Sequence, residues 1–249
     1  MIARVLFFLL LAPWWAMASD YNAVVLDQIS RIPGGGRYAT DTSAHQALTR
    51  SVSVTGSGAR ITPSAARPSY CSGATYLALL MALQDLEKRG EITVAPETWE
   101  AIRPQPLPDG TGIWGRWNAN GPGTARLFYE LGLGRNFTDI REARPGDFLK
   151  VFWTDAVGQN ERGHSVIYLG TEIVDGQEMV KYWSSNKPDG MGTRSVSRKK
   201  IAWMLFSRLE HPERIAAWAS IPQSDAYLAS LLRVDSSRRE ALKLSGATP

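Results

Sequence analysis

The sequence predicts an α+β protein in which helices come first and a meander of antiparallel strands follows. Two observations carry this. A broad apolar helix pattern runs from Cys71 to Leu86, and the period changes to that of strands after Pro145. A chain of 249 residues with 44% apolar content and 10% aromatics has enough material to bury a substantial core, which excludes a disordered protein. The net charge is +4, and the one dense basic run is Arg198-Lys199-Lys200. Scattered basic residues give little support for nucleic-acid binding, so no nucleic-acid partner is expected.

Residues 1–18 read as a secretory signal peptide: Arg4, then the apolar run Val5 to Leu11, then Ala16-Met17-Ala18 as a small-x-small cleavage site. Export to the periplasm or outside is expected, with no stable membrane insertion after cleavage, because the apolar run is short for a span. The mature chain then carries a single cysteine and forms no internal disulfide. An unpaired thiol in an oxidising compartment calls for a chemical reason to persist.

Residues 19–67 read as a loop-rich arm: a helix over Tyr21 to Ile32, a break at Pro33-Gly34-Gly35-Gly36, then Ser/Thr/Gly-rich sequence with at most a short strand at Val52 and Val54. His45 in this arm reads as an ordinary surface histidine. The main domain is expected over 68–198. Its helix follows Pro68, with Ser69 and Ser72 as alternative caps and Gly90 as its stop. Pro104 to Gly123 has the composition of a loop. Two readings are open for Trp114 and Trp117 within it: with Asn118 they line a substrate cleft, or they plug the loop onto the core. A second helix is expected from Pro122 to Leu131, ended by Gly132.

Strands are expected at Phe148–Trp153, Gly163–Leu169, Met179–Ser184 and near Thr193–Ser197, with Asp175-Gly176 as a hairpin turn. Asp147, in the turn Arg144-Pro145-Gly146-Asp147, reads as a turn-former. Residues 199–249 return to helical spacing and predict a C-terminal helical extension, with Ile201–Leu209 in its first helix and a frayed tail from Asp235. His211 is read as a helix-boundary residue.

The chemistry centres on Cys71. A helix N-terminus offers free amide donors and the positive end of the dipole, which favour a thiolate. Taken alone, a lone cysteine is more simply a small buried hydrophobe. His164, opening a strand, supplies the imidazole that such a nucleophile needs for proton transfer. A third polar group must then fix the imidazole, and Asn186 is the first choice, Ser184 the second. One Cys and three separated His give no metal-ligand cluster, and no cofactor is expected.

Cys71-Ser72-Gly73 before an apolar helix, Arg-Pro-Gly-Asp at 144–147 before a strand, and Gly-His-Ser-Val-Ile-Tyr-Leu-Gly at 163–170 together resemble the NlpC-type cell-wall peptidases. This is a papain-like superfamily that includes the CHAP amidase branch, and the resemblance covers about Pro68 to Ser197. It implies a helix-borne nucleophile, Cys71, a base, His164, on an antiparallel sheet, and hydrolysis of peptide or amide bonds in peptidoglycan. The backbone N–H of Cys71 or Ser72 would hold the oxyanion. Where family members often have Asp before the cysteine, this chain has Tyr70, which leaves substrate contact at that position to a phenol. Where they often have a His as third residue, it has Ser-Ser-Asn. Two other classes stay open: an idle peptide- or glycan-binding module using the same groove, and an acyl or amide transferase.

Overall fold

The structure, a computed structural model, describes residues 20–56 and 58–248; the expected signal peptide lies outside them. Its organising element is a helix buried on every side over residues 72–83. In chain order, α1 (Tyr21–Arg31) is followed by the two-residue strand β1 (Gly35–Gly36), α2 (Thr42–Arg50), and the hairpin β2 (Val52–Thr55) and β3 (Gly58–Ile61). The helices α3 (Cys71–Lys88), α4 (Pro96–Ile102), α5 (Gly112–Asn118) and α6 (Gly123–Leu131) come next. Then come β4 (Gly134–Phe137), β5 (Phe148–Phe152), β6 (Val157–Gly158), β7 (Gly163–Val174), β8 (Gln177–Asn186), β9 (Gly190–Ser197) and β10 (Trp203–Leu209). After a 3-10 stretch at Pro212–Ser220 the chain ends in α7 (Ala226–Ser230), β11 (Asp235–Ser236) and α8 (Arg238–Leu244).

Seven strands form one antiparallel sheet in the order β1-β9-β8-β7-β5-β10-β4, which confirms the α+β class. Helix α3 lies against β7 and β8 on one side and α1, α2 and α5 on others. That surround explains its sequence: Leu77, Leu79, Leu80, Leu83 and Leu86 are all inaccessible to solvent and every residue from 72 to 83 is buried, so polar side chains reach water only in the last turn, at Gln84, Asp85, Glu87 and Lys88. Each such leucine contributes about 2 kcal/mol by burial, so the residue that begins α3 is held by a rigid body. Alternation divides the sheet. Phe148, Ile167 and Trp183 join the α3 core, whereas Leu149, Val151, Val166, Tyr168 and Tyr182 form a second cluster with Phe137, Met204 and Phe206. The turn joining β7 and β8 has Asp175 at φ 48° and Gly176 at φ 72°, the doubly left-handed geometry that an Asp-Gly pair favours.

Several expectations are corrected. The arm over 19–67 holds more regular structure than its composition suggests: α2 forms because the Asp41 carboxylate accepts from the amides of Ser43 and Ala44, and β2 pairs with β3. Trp114 to Asn118 is the helix α5, not a loop. Ile201–Leu209 does not start a helix. Trp203–Leu209 is the strand between β5 and β4, buried along its whole length, and a short apolar run buried on both faces has no period to separate strand from helix. The tail from Asp235 is not frayed: β11 pairs with β6, α8 is capped by Ser237 and buries Ala241, and Thr248 bonds the backbone of Asn136. His211 does sit at a boundary, flanking the 3-10 stretch.

Candidate active site

Cys71 is the first residue of α3, half-buried, with Tyr70 at the cap position offering no side-chain cap. Neither expected capping serine acts as one. Ser69 Oγ pairs with Ser185 Oγ at 2.8 Å, tying the helix start to β8, and Ser72 Oγ donates to Asn118 Oδ1 at 2.8 Å.

His164 stands at the start of β7, paired with Val151 of β5. The β7–β8 register matches Ile167 with Trp183, and continuing it brings position 164 opposite position 186. The His164 Nε2–H donates to Asn186 Oδ1 at 3.1 Å. The amide orientation is fixed from its other end, because Asn186 Nδ2 donates to the carbonyls of Ser184 (3.0 Å) and Gly192 (2.8 Å). The oxygen must therefore face the ring, which places the proton on Nε2 and leaves Nδ1 for the sulfur. His164 and Cys71 are hydrogen-bonded through their side chains. Sulfur, imidazole and amide are thus brought together in a line.

The electrostatics follow from this packing. Burial works against a Cys71 thiolate, but the hydrogen bond and charge of His164, the backbone N–H of Ser165 and the charge of Lys150 outweigh it and bring the thiol down to about 6. Burial likewise works against an imidazolium at His164, yet the hydrogen bond and charge of Cys71, joined by Asn186, raise its pKa. Each partner stabilises the charged form of the other, which favours a thiolate–imidazolium pair.

Ser184, the second choice for orienting His164, does not do so. It is fully buried and its hydroxyl donates to the carbonyl of Ser165 at 2.7 Å, pinning β8 to β7 beside the histidine. Trp114 and Trp117 are core residues, 3% and 1% exposed, and the Trp117 indole N–H donates to the carbonyl of Ser72. They support the first turn of α3 from inside. Half-buried Asn118 approaches the same turn through Ser72. Tyr70 is buried, and its hydroxyl meets Nδ1 of the exposed His45 at 2.9 Å, so His45 has a partner that its sequence context does not announce.

Asp147 is more than a turn-former. It is wholly buried, accepts two bonds from Arg208 at 2.8 and 2.7 Å, one from Asn22 Nδ2 at 2.8 Å and one from the amide of Arg144 at 2.7 Å. This knot holds the entry to β5.

Two neighbours of the sulfur come from outside the motifs. Tyr38 hydrogen-bonds Cys71, and burial, with the charge on Cys71 and that bond, pushes its phenol well above the usual range, so it stays a donor. Backbone bonding places it there: Ser69 N bonds Arg37 O, Ala39 N bonds Ser69 O, and on the other side Tyr38 N bonds Pro188 O. The glycines at 35 and 36, at φ 82° and 91°, allow the close approach to β9 that starts this crossing. Lys150 is the second, acting on the sulfur through its charge alone while its ammonium pairs with Glu161 Oε1 at 2.6 Å. Neither contact has a local sequence signal, because both depend on strand order.

A cleft of about 640 Å³ opens beside His164 and Asn186, walled also by Tyr38, Tyr182 and Trp153; Cys71 does not line it. Among the described residues no group of His, Cys, Asp and Glu is placed to hold a metal ion, and no helix is long and apolar enough to cross a membrane. No family model, curated protein or solved structure matches the chain.

Proposed function

We propose that the protein is an exported cysteine hydrolase of peptide or amide bonds, with a papain-like NlpC-type fold and peptidoglycan as its substrate. The observation that carries the reading is the line from Cys71 through His164 to Asn186, the last two of which wall an open cleft. The choice of peptidoglycan rests on the resemblance of the Cys-Ser-Gly and Gly-His segments to that family and on the export signal expected at 1–18.

In the proposed reaction the Cys71 thiolate attacks the carbonyl carbon, a C–S bond forms, and the carbonyl electron pair moves onto oxygen. The backbone N–H of Cys71 or Ser72 and the Tyr38 hydroxyl face the developing charge. His164 gives its Nδ1 proton to the leaving nitrogen as the C–N bond breaks, which leaves a thioester. Water then attacks the thioester, its proton passes to His164, and the C–S bond breaks to release a carboxylic acid and restore the ion pair.

The test is digestion of purified peptidoglycan by the mature chain, with products weighed by mass spectrometry. New amino and carboxyl ends are expected, and Cys71→Ala and His164→Ala each abolish them while the circular dichroism spectrum is unchanged. Full activity in either variant overturns the assignment.

A further inference from the structure

Lys150 and Glu161 form a largely buried ion pair against the two residues that flank His164 in the chain. Lys150 belongs to β5 and Glu161 to the link between β6 and β7, and their side chains are 16% and 3% exposed. Glu161 is fixed from its other oxygen, which accepts the backbone N–H groups of Gly121 and Gly158. The pair passes across Gly163: a Cβ at that position would stand 2.8 Å from Lys150 Cε and 2.9 Å from Glu161 Oε1. The glycine in front of His164 therefore makes room for it. On the other side of His164, Ser165 faces Lys150 in the β5–β7 register, and the Ser165 N–H is the amide that bonds the Cys71 sulfur.

A cation in this place acts on the two reacting groups in opposite senses: it favours the Cys71 thiolate and opposes the His164 imidazolium. At His164 burial opposes the imidazolium too, and the bond and charge of Cys71, joined by Asn186, outweigh both. Acylation takes the charge off the sulfur, after which burial and Lys150 stand against Asn186 alone. No other titratable group facing the pair replaces the lost charge, because burial holds the phenols of Tyr38, Tyr70 and Tyr182 above their usual range. Near the ammonium itself are Glu161 and Asp109, whose carboxyl burial raises, with the charge of Lys150 among the effects that oppose the rise.

We propose that Lys150, aimed by Glu161, is a positioning residue whose charge returns His164 to the neutral imidazole each time the sulfur is acylated. The Nδ1 proton passes to the departing nitrogen as the C–N bond breaks, and the neutral ring then takes a proton from the water that attacks the thioester. The inference rests on the hydrolase reading, since it needs an acyl-enzyme on Cys71.

The experiment loads the full chain with p-nitrophenyl acetate, whose nitrophenolate leaves without needing a proton, so that hydrolysis of the acetyl thioester on Cys71 is followed by itself against pH. Its rate rises as pH passes the His164 pKa, because the step needs the neutral ring. Lys150→Met with Glu161→Gln removes the pair without stranding a buried charge. The imidazolium is then less opposed, so the limb is expected to move about half a unit to higher pH, with the rate on its acid side falling about threefold. The inflection of Cys71 alkylation moves upward as well, since the thiolate loses the same cation. Lys150→Arg keeps the charge and leaves both inflections in place. A packing role alone would shift the thermal midpoint and neither inflection. Unmoved inflections in the folded double variant, or a limb that Lys150→Arg moves as far, overturn the inference while leaving the hydrolase reading intact. Failure to form the acetyl-enzyme overturns the hydrolase reading, and this inference with it.

Discussion

Asn186 Oδ1 accepts the Nε2 proton of His164 at 3.1 Å, while its own amide N–H groups are spent on the carbonyls of Ser184 and Gly192. The side chain therefore has one orientation, and it imposes one tautomer on the imidazole. Asn186→Ala is expected to lower kcat on peptidoglycan fragments roughly 10- to 100-fold with KM little changed. The bond to Asn186 raises the His164 pKa, so its loss lowers that pKa and moves the alkaline limb of the pH–rate profile to lower pH. A merely structural role for Asn186 would leave that limb in place.

The thiol of Cys71 is held at about 6, chiefly because the hydrogen bond and charge of His164 outweigh burial. Its thiolate is then nearly fully formed at pH 7 and is lost as pH falls through 6. In His164→Ala burial remains and the largest compensation is gone, with only the Ser165 N–H and the Lys150 charge left, so the pKa rises toward the ordinary value of about 8.5. The alkylation rate by iodoacetamide at pH 7 should drop about 30-fold, with its inflection displaced upward. An unchanged inflection contradicts the ion pair.

Tyr38 reaches the sulfur through its hydroxyl, whereas its position comes from the backbone bond to Pro188 and the neighbouring bonds to Ser69. Tyr38→Phe removes the first and keeps the second. Turnover should fall on the order of 10- to 100-fold, as when one donor to a developing oxyanion is lost, with the thermal midpoint within about 2 °C of the parent. Equal turnover places the phenol outside the reaction.

The parts of this fold that show in the sequence are those with a local cause. The Asp175-Gly176 turn, the broadly apolar α3, and the Gly132 stop at φ 65° follow from residue type and spacing, and so do β5, β7 and β8. What does not show is set by neighbours far along the chain. Trp203–Leu209 is a strand because β5 and β4 flank it, and Trp114 and Trp117 are core because α5 lies against α3. The site divides in the same way. Cys71, His164 and Asn186 follow from motif and strand parity, but Tyr38 depends on a crossing between Ser69 and Pro188 that no window of sequence contains. Ser184 shares the parity of Asn186 and still fails as orienter, because the Ser165 carbonyl claims its hydroxyl.

Asp147 and Arg208 form a pair with side chains 0% and 7% exposed, and the Asp147 carbonyl accepts from the backbone N–H of Tyr168 in β7, whose own carbonyl accepts from Gly146 N–H. The pair thus holds β5 where it meets the strand that carries His164. Asp147→Asn leaves the guanidinium buried without its counter-charge and also weakens the bonds to Asn22 and the Arg144 amide. The expected cost is about 3–5 kcal/mol, read as a lower urea midpoint with unchanged slope. The double change Asp147→Leu with Arg208→Met removes both charges at once and should recover most of that loss, since no unpaired ion is left inside. Because the pair does not touch the sulfur, the folded fraction of Asp147→Asn should keep the Cys71 alkylation inflection near 6. A midpoint equal to the parent's shows that water reaches Arg208 and that the pair is not what fixes β5.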